Sequence, residues 1–330
     1  MALSSALAHE DLAALCARTF PERVGQVVKH VQPLPSRQHE MTAFELWWEE
    51  DGAPRREALI ARRYVSMLSW WRPDDRGKAQ REMTVCRWLH ERAFPVPRVY
   101  TREFGVHGDV VLFERLPGQA LAAVGRPLCE AVEPYVEPLA RLLASLHSQR
   151  PPDAVRRVVP QVTLPGALAN LMAIAYQIGQ DDLRKAAERL MAHAYDVQEV
   201  GPVLLHGDYH FLNVLFSDGQ IVGVVDWEFS ALGDPRWDVA NAYMQLVDFG
   251  AADAADVFLN AYLAHSGRRF EGPPLYNAVA PLQQWAISEW LVQQEAAGKP
   301  HGFALAQDLV AQRDVHRRRA EMALRWLADN

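Results

Sequence analysis

Strand-type and helix-type patterns occupy different parts of this chain, and that segregation limits the architectures open to it. Val27-Val28 with Val31, Ala43 to Trp48, and Ala58 to Ala61 read as strands. Asp51-Gly52-Ala53-Pro54 between the last two is a hairpin turn signal. Val110 to Phe113 is a further short apolar strand, and Leu116-Pro117-Gly118 then breaks the chain. Two helices are expected before that break. One covers Leu12 to Phe20; the other covers Gly77 to Glu91, with Met83, Trp88 and Leu89 on its apolar face and Pro95 and Pro97 ending the stretch. Beyond the break Leu139, Leu142, Leu143 and Leu146 recur at i, i+3, i+4 and i+7, the signature of a helix with one buried stripe. More helix is expected from about Leu168 to Tyr195 and after Trp237. Short strands at Val203 to Leu205, Val214 to Phe216 and Ile221 to Val225 interrupt it, the last two joined by a turn at Ser217-Asp218-Gly219-Gln220. Segregated strands and helices specify an α+β fold in two lobes. The division is placed as 1–116, strand-rich, and 117–330, helical. A cleft between lobes is a natural ligand site.

With 330 residues, 49% of them hydrophobic, the chain can bury the cores of two such units. A formal net charge of −7 lacks the basic footprint of a nucleic-acid binder. Cys16, Cys86 and Cys129 form no CxxC pair, which fits a reducing compartment. The first twenty residues do not read as a signal peptide, since His9, Glu10 and Asp11 interrupt them. No apolar run approaches the ~18 residues that span a bilayer. A cytoplasmic protein without membrane attachment is expected.

The densest chemical signal is Leu205-His206-Gly207-Asp208-Tyr209-His210-Phe211-Leu212-Asn213, an Asp five positions before an Asn in a loop between apolar segments. Asp226 follows at the end of Val224-Val225. Phosphoryl transfer from a nucleotide needs such parts. One carboxylate orients the attacking hydroxyl and accepts its proton, and hard oxygen ligands hold Mg²⁺ against the phosphates. Positioning and charge neutralisation then carry most of the catalysis.

His206-Gly207-Asp208-x-x-x-x-Asn213 followed by Asp226-Trp227-Glu228 resembles the aminoglycoside phosphotransferase and choline kinase group within the protein-kinase-like fold. The resemblance runs roughly from Gln32 to Tyr262 and is more specific in its second half. It implies an ATP- and Mg²⁺-dependent kinase acting on a hydroxyl of a small molecule. Asp208 would be the catalytic base, Asn213 and Asp226 the Mg²⁺ ligands, and Asp238 the anchor of the catalytic loop. The later helices would shape the acceptor pocket. In the first lobe the resemblance implies a cation on the third strand paired with a Glu on the following helix, which falls on Arg62 and Glu82. Alternation from Leu59 points Arg62 inward rather than Arg63. Arg stands where the family has Lys, and a guanidinium can grip phosphate bidentately. The phosphate loop falls between Pro33 and Phe44, where Pro35 to Thr42 contains no glycine. Either side chains such as Ser36 and Arg37 replace the close backbone approach that glycine allows, or nucleotide binding is weak. The hinge falls on Phe113 to Leu116, with Glu114 and Leu116 at the adenine edge and Ile60 and Leu215 covering the ring.

Other readings remain open on sequence alone. His206, Asp208 and His210 could belong to a metallohydrolase cluster. The missing glycines allow a non-catalytic, nucleotide-binding module of the same fold. His147 suits the end of a helix. Trp47-Trp48 and Trp285 with Glu289 and Trp290 read as packing first, whereas Trp70-Trp71 is a candidate contact. Arg317-Arg318-Arg319 reads as a solvated helix face. The sparse acids after Asp248 lean away from a polycationic acceptor.

Overall fold

The computed structural model describes residues 7–34, 36, 39–65, 75–105, 108–120, 132–270, 274–297 and 309–329. Trp70-Trp71, Pro35, Arg37, Gln38 and Cys129 lie outside them.

The first part is a five-stranded antiparallel sheet in the order β1-β2-β3-β5-β4, formed by β1 (Val24–Leu34), β2 (Glu40–Glu50), β3 (Ala53–Arg63), β4 (Val99–Glu103) and β5 (Val110–Glu114). The turn residues Asp51 and Gly52 sit at φ 53° and 72°. Two successive left-handed residues match the twist of the strands they join, so Glu50 pairs with Ala53 across a two-residue loop. Alternation along β3 then decides what each face receives. Leu59 and Ala61 join Leu12, Leu15 and Cys16 of helix α1 (His9–Thr19) on one face. Ile60 and Arg62 point to the other, where α2 (Lys78–His90) packs Val85, Cys86 and Leu89 against Val111 and Phe113. β4 was not expected. Only Val99 of its five residues is buried, so this edge strand carries almost no hydrophobic signal.

Helices dominate after the break. α3 (Val136–Ser148) buries Leu139, Leu143 and Leu146, as the heptad-like spacing requires. α4 (Leu164–Gln177) and α5 (Asp181–Ala194) pair with each other in a separate core cluster, and Thr163 caps α4 by accepting from Gly166 N–H at 3.2 Å. Next come α6 (Arg236–Asp248), α7 (Ala252–Ser266), α8 (Pro274–Ala296) and α9 (Leu309–Asp329). Two small β elements are built mainly from the chain between α5 and α6. In one, β7 (Val203–Leu205) pairs with β10 (Ala231–Gly233); in the other, β6 (Gln119–Ala120) joins the hairpin of β8 (Val214–Ser217) and β9 (Gln220–Val224). The segment between β5 and β6 is held close to that hairpin. Gly118 is at φ 102°, and a Cβ there would lie 2.6 Å from the Phe216 carbonyl oxygen.

The tryptophans and His147 follow the packing expectation. Trp47 and Trp48 stack against Lys29 and Arg23, and Trp285 lies in the core of the helical part. His147 sits between the Tyr262 hydroxyl at 2.7 Å and Asp238 at 3.2 Å. The arginine run departs from a purely solvated face. Arg317 does reach Asp182 and Glu321 at the surface, but Arg319 turns inward to Asp248 at 2.6 Å.

Candidate active site

The loop after β7 is built around Gly207 and Asp238. Gly207 adopts φ 86°, and a Cβ on it would fall 2.1 Å from the Phe229 carbonyl oxygen. Only glycine lets the chain pass there. Buried Asp238, on the first turn of α6, accepts from His206 N–H at 2.7 Å and Gly207 N–H at 2.8 Å. His206 ties this loop to the Asp226 segment. Its Nδ1 accepts from Asp208 N–H at 3.2 Å and its Nε2 donates to the Val225 carbonyl at 3.0 Å. That tautomer suits a neutral ring, and burial lowers the His206 pKa from its ordinary value. His206 is thus a strut between two loops.

Asp208 is held on several sides. Asn241 of α6 donates to its Oδ1 at 3.1 Å, and Asn213 donates to its Oδ2 at 3.2 Å and to its carbonyl at 2.9 Å. His210 Nε2 lies 3.4 Å from Oδ1. Burial works to raise the Asp208 carboxyl, but His210, His206 and the Asn241 amide outweigh it and hold the pKa below the ordinary value. The carboxylate is therefore ionised.

Asp226 is left-handed, at φ 73° and ψ 52°, which turns its carboxylate out of the β9 ladder toward the cleft. Its Oδ1 accepts from Arg62 at 2.6 Å. The same guanidinium reaches Glu82 at 3.1 and 3.0 Å, while Trp227 N–H and the Tyr64 hydroxyl also donate to Glu82. Arg62 thus bridges the helix and the Asp226 segment, an arrangement that a Lys point charge could not reproduce with the same fork geometry. Burial pushes the Glu82 carboxyl up to about 7 despite Arg62, with Asp226 and Glu228 adding to the rise.

Glu228 collects a second set of partners. His39 hydrogen-bonds it, with Lys78 at 3.6 Å and Arg62 at 3.5 Å. Burial opposes ionisation of Glu228, yet His39, Lys78 and Arg62 hold its pKa well below the usual carboxylate range. His39 Nδ1 accepts from Val65 N–H at 3.2 Å, and Ser36 Oγ accepts from His39 N–H at 3.3 Å. Ser36 therefore supports the backbone of the glycine-free loop through its hydroxyl. Arg37 lies outside the described residues.

The remaining expected residues lie on the strands and on the connection between the two parts. Ile60 sits on β3 opposite Phe113, and Leu215 on β8 opposite Gly223. Glu114 spends its N–H on the Arg98 carbonyl at 2.9 Å, and its carboxylate accepts from Arg98 N–H at 3.1 Å. Arg115 N–H goes to Ala58 at 2.9 Å, while Leu116 N–H has no backbone partner among the described residues. The Leu116 side chain packs over Gly223, where an added Cβ would lie 2.2 Å from Leu116 Cδ1.

Asn213 and Asp226 suit Mg²⁺ chemically. Among the described residues Asn213 Oδ1 and Asp226 Oδ2 make no hydrogen bond to protein, which leaves two hard oxygen donors open. Arg62 Nε is buried without a partner. No group of three or more His, Cys, Asp or Glu side chains placed to hold a metal exists among the described residues, so the site is not of the closed zinc kind. Asn241, His39 and Lys78 were missed from sequence. Each reaches the site across a long stretch of chain, with no local pattern to mark it.

A family model described as a phosphotransferase enzyme family matches residues 43–282. The chain belongs to that family. This phosphotransferase-family protein is 29% identical over 175 residues to hygromycin-B 4-O-kinase of Escherichia coli, a match covering 48% of this chain and 50% of that protein. The chain thus spans about half the length of the curated relative it matches. A thermostable mutant of an aminoglycoside phosphotransferase in ternary complex with ADP and hygromycin B superposes with TM-score 0.64 at 17% identity, over 95% of this chain and 98% of that one. A macrolide 2'-phosphotransferase superposes with TM-score 0.62 at 18% identity, over 94% and 98%. The α+β class, the strand-rich first part, the helical second part and the family expected from sequence all hold. No helix among the described residues is long and apolar enough to cross a membrane.

Proposed function

We propose that this chain transfers the γ-phosphoryl group of ATP, taken as its Mg²⁺ complex, to a hydroxyl of a small molecule. The supporting observation is the His206 strut, which carries Asp208 and Asp226 as one unit through Asp208 N–H at 3.2 Å and the Val225 carbonyl at 3.0 Å. Asp208 accepts the proton of the acceptor hydroxyl as that oxygen turns nucleophilic. Asn241 and Asn213 fix the carboxylate so that its orientation costs nothing at the moment of transfer. Asn213 Oδ1 and Asp226 would hold Mg²⁺, which supplies charge neutralisation on the phosphates when bound. Arg62, kept in place by Glu82, adds a fixed positive charge beside Asp226. Ile60, Leu116 and Leu215 offer an apolar slot for a nucleobase, and Leu116 N–H is a donor at its edge. The division at 116/117 falls where the chain leaves β5 for β6, which suits a hinge.

Asp208→Asn tests the reading. Turnover, measured as ADP release with an accepted alcohol, should fall by roughly 10²–10⁴-fold, the range for loss of a positioned base. The thermal shift with ATP and Mg²⁺ should persist. A variant that keeps most of its turnover would remove Asp208 from the role. A wild-type chain that no combination of ATP and Mg²⁺ stabilises would favour the non-catalytic module instead.

A further inference from the structure

The C-terminal helices line an open cavity of about 580 Å³, in the size range of sites for drug-sized ligands. It opens along the same helix that steadies Asp208. Asn241, Met244 and Asp248 fall at i, i+3 and i+7 on α6 and therefore share one stripe. Asn241 donates to Asp208 Oδ1 at 3.1 Å, and Met244 and Asp248 line the cavity. The helix that steadies the proposed base thus also supplies part of the cavity wall.

The walls are mostly apolar, with Val247, Leu259 and Phe270 beside Met244. Its charges are already matched. Two arginines and one aspartate line it. Arg319 holds Asp248 at 2.6 Å, and Arg236 is closed by Asp234 at 2.7 Å. Nearby Asp256 accepts from the Tyr243 hydroxyl at 2.9 Å. An ammonium group entering here would find the one lining carboxylate, Asp248, already held by Arg319, and exposed Asp256 lies outside the lining. Polycations are bound where carboxylates outnumber cations; this lining has the opposite balance.

We propose that the acceptor is an uncharged, largely apolar hydroxyl compound rather than a polycationic aminosugar. This rests on the phosphotransferase reading above for the use made of the cavity, but the cavity's selectivity is testable by itself. Thermal melting of the full chain is followed with a panel of neutral terpenoid and macrolactone alcohols, with hygromycin B, and separately with ATP and Mg²⁺. Members of the neutral panel should raise the melting temperature and hygromycin B should not. Leu259→Trp, which fills the cavity, should abolish the alcohol-induced rise. Because that variant can fail to fold, Asn277→Asp provides a near-isosteric second test on the same lining. By adding an unmatched carboxylate it should create a hygromycin B response that wild type lacks. Saturable binding of hygromycin B to wild type overturns the proposal. So does failure of the whole neutral panel while ATP with Mg²⁺ still stabilises the chain. Stabilisation by alcohols without any nucleotide response supports the cavity's selectivity and overturns the phosphotransferase reading instead.

Discussion

Replacing Gly207 by Ala isolates the backbone requirement of the catalytic loop. The residue sits at φ 86°, where a Cβ would lie 2.1 Å from the Phe229 carbonyl oxygen and 2.7 Å from its carbon. The left-handed backbone alone costs ~1–2 kcal/mol for a residue with a Cβ. Forcing packed backbone apart adds ~1–3 kcal/mol, by analogy with overpacked cores. The sum is ~2–5 kcal/mol. Unfolding entropy of ~2.1 cal/mol/K per residue amounts to ~0.7 kcal/mol/K over 330 residues. Gly207→Ala should therefore lower Tm by ~3–7 °C if the chain unfolds as one unit. Relief of the clash moves Asp208 on the order of 1 Å, a displacement that can cost ~10²-fold in rate. Scanning calorimetry and ADP release measure the two effects. Gly201→Ala is the control, since nothing lies within 4 Å of its added Cβ. If Gly207→Ala melts with wild type and turns over normally, the tight passage past Phe229 does not exist.

Arg62→Ala strips partners from buried Glu82 and should destabilise the chain by ~3–5 kcal/mol, as measured by urea unfolding. Arg62→Lys should cost less but should not restore full nucleotide affinity. Unchanged stability of the alanine variant would contradict the bridge. Asp226→Ala should erase the difference between ATP binding with and without Mg²⁺ in titration calorimetry; an undiminished difference would take Asp226 out of the metal site. Burial raises the Asp248 carboxyl from 3.8 to about 6. The folded state therefore holds that proton longer than the unfolded state, and the associated stability is present below the unfolded value and lost as pH rises through about 6. Asp248→Asn should flatten the pH dependence by ~1 kcal/mol between pH ~5 and pH ~7.5 in denaturant melts. A slope identical to wild type would show that Asp248 titrates normally.

Legibility in the sequence followed the range of the interactions involved. The Asp51-Gly52 turn, the inward direction of Arg62 and the stripe of α3 are set by neighbours a few positions away, so spacing alone placed them. The pairing of Arg62 with Glu82, twenty positions apart, came from the family resemblance and not from spacing. Asn241 meets Asp208 from 33 positions away, and His39 meets Glu228 from 189. Their roles follow from how separate elements pack, which no local period encodes. β4 was lost because Val99 alone is buried in it, so the run Val99 to Glu103 offers almost no apolar alternation. Arg319 misled because a run of three arginines on a helix points in three directions, and one of them faces the interior.

The buried charges around Arg62 carry a consequence for how a donor can arrive. Among the described residues the carboxylates of Glu82, Asp226 and Glu228 gather around Arg62, with Lys78 and His39 at Glu228; burial first, then Asp226 and Glu228, displace Glu82 upward. A bare polyphosphate would meet like charge at the mouth of this cleft, whereas one already chelated to a divalent cation brings its own neutralisation. Under the proposed function, cation and nucleotide would then enter as a single particle.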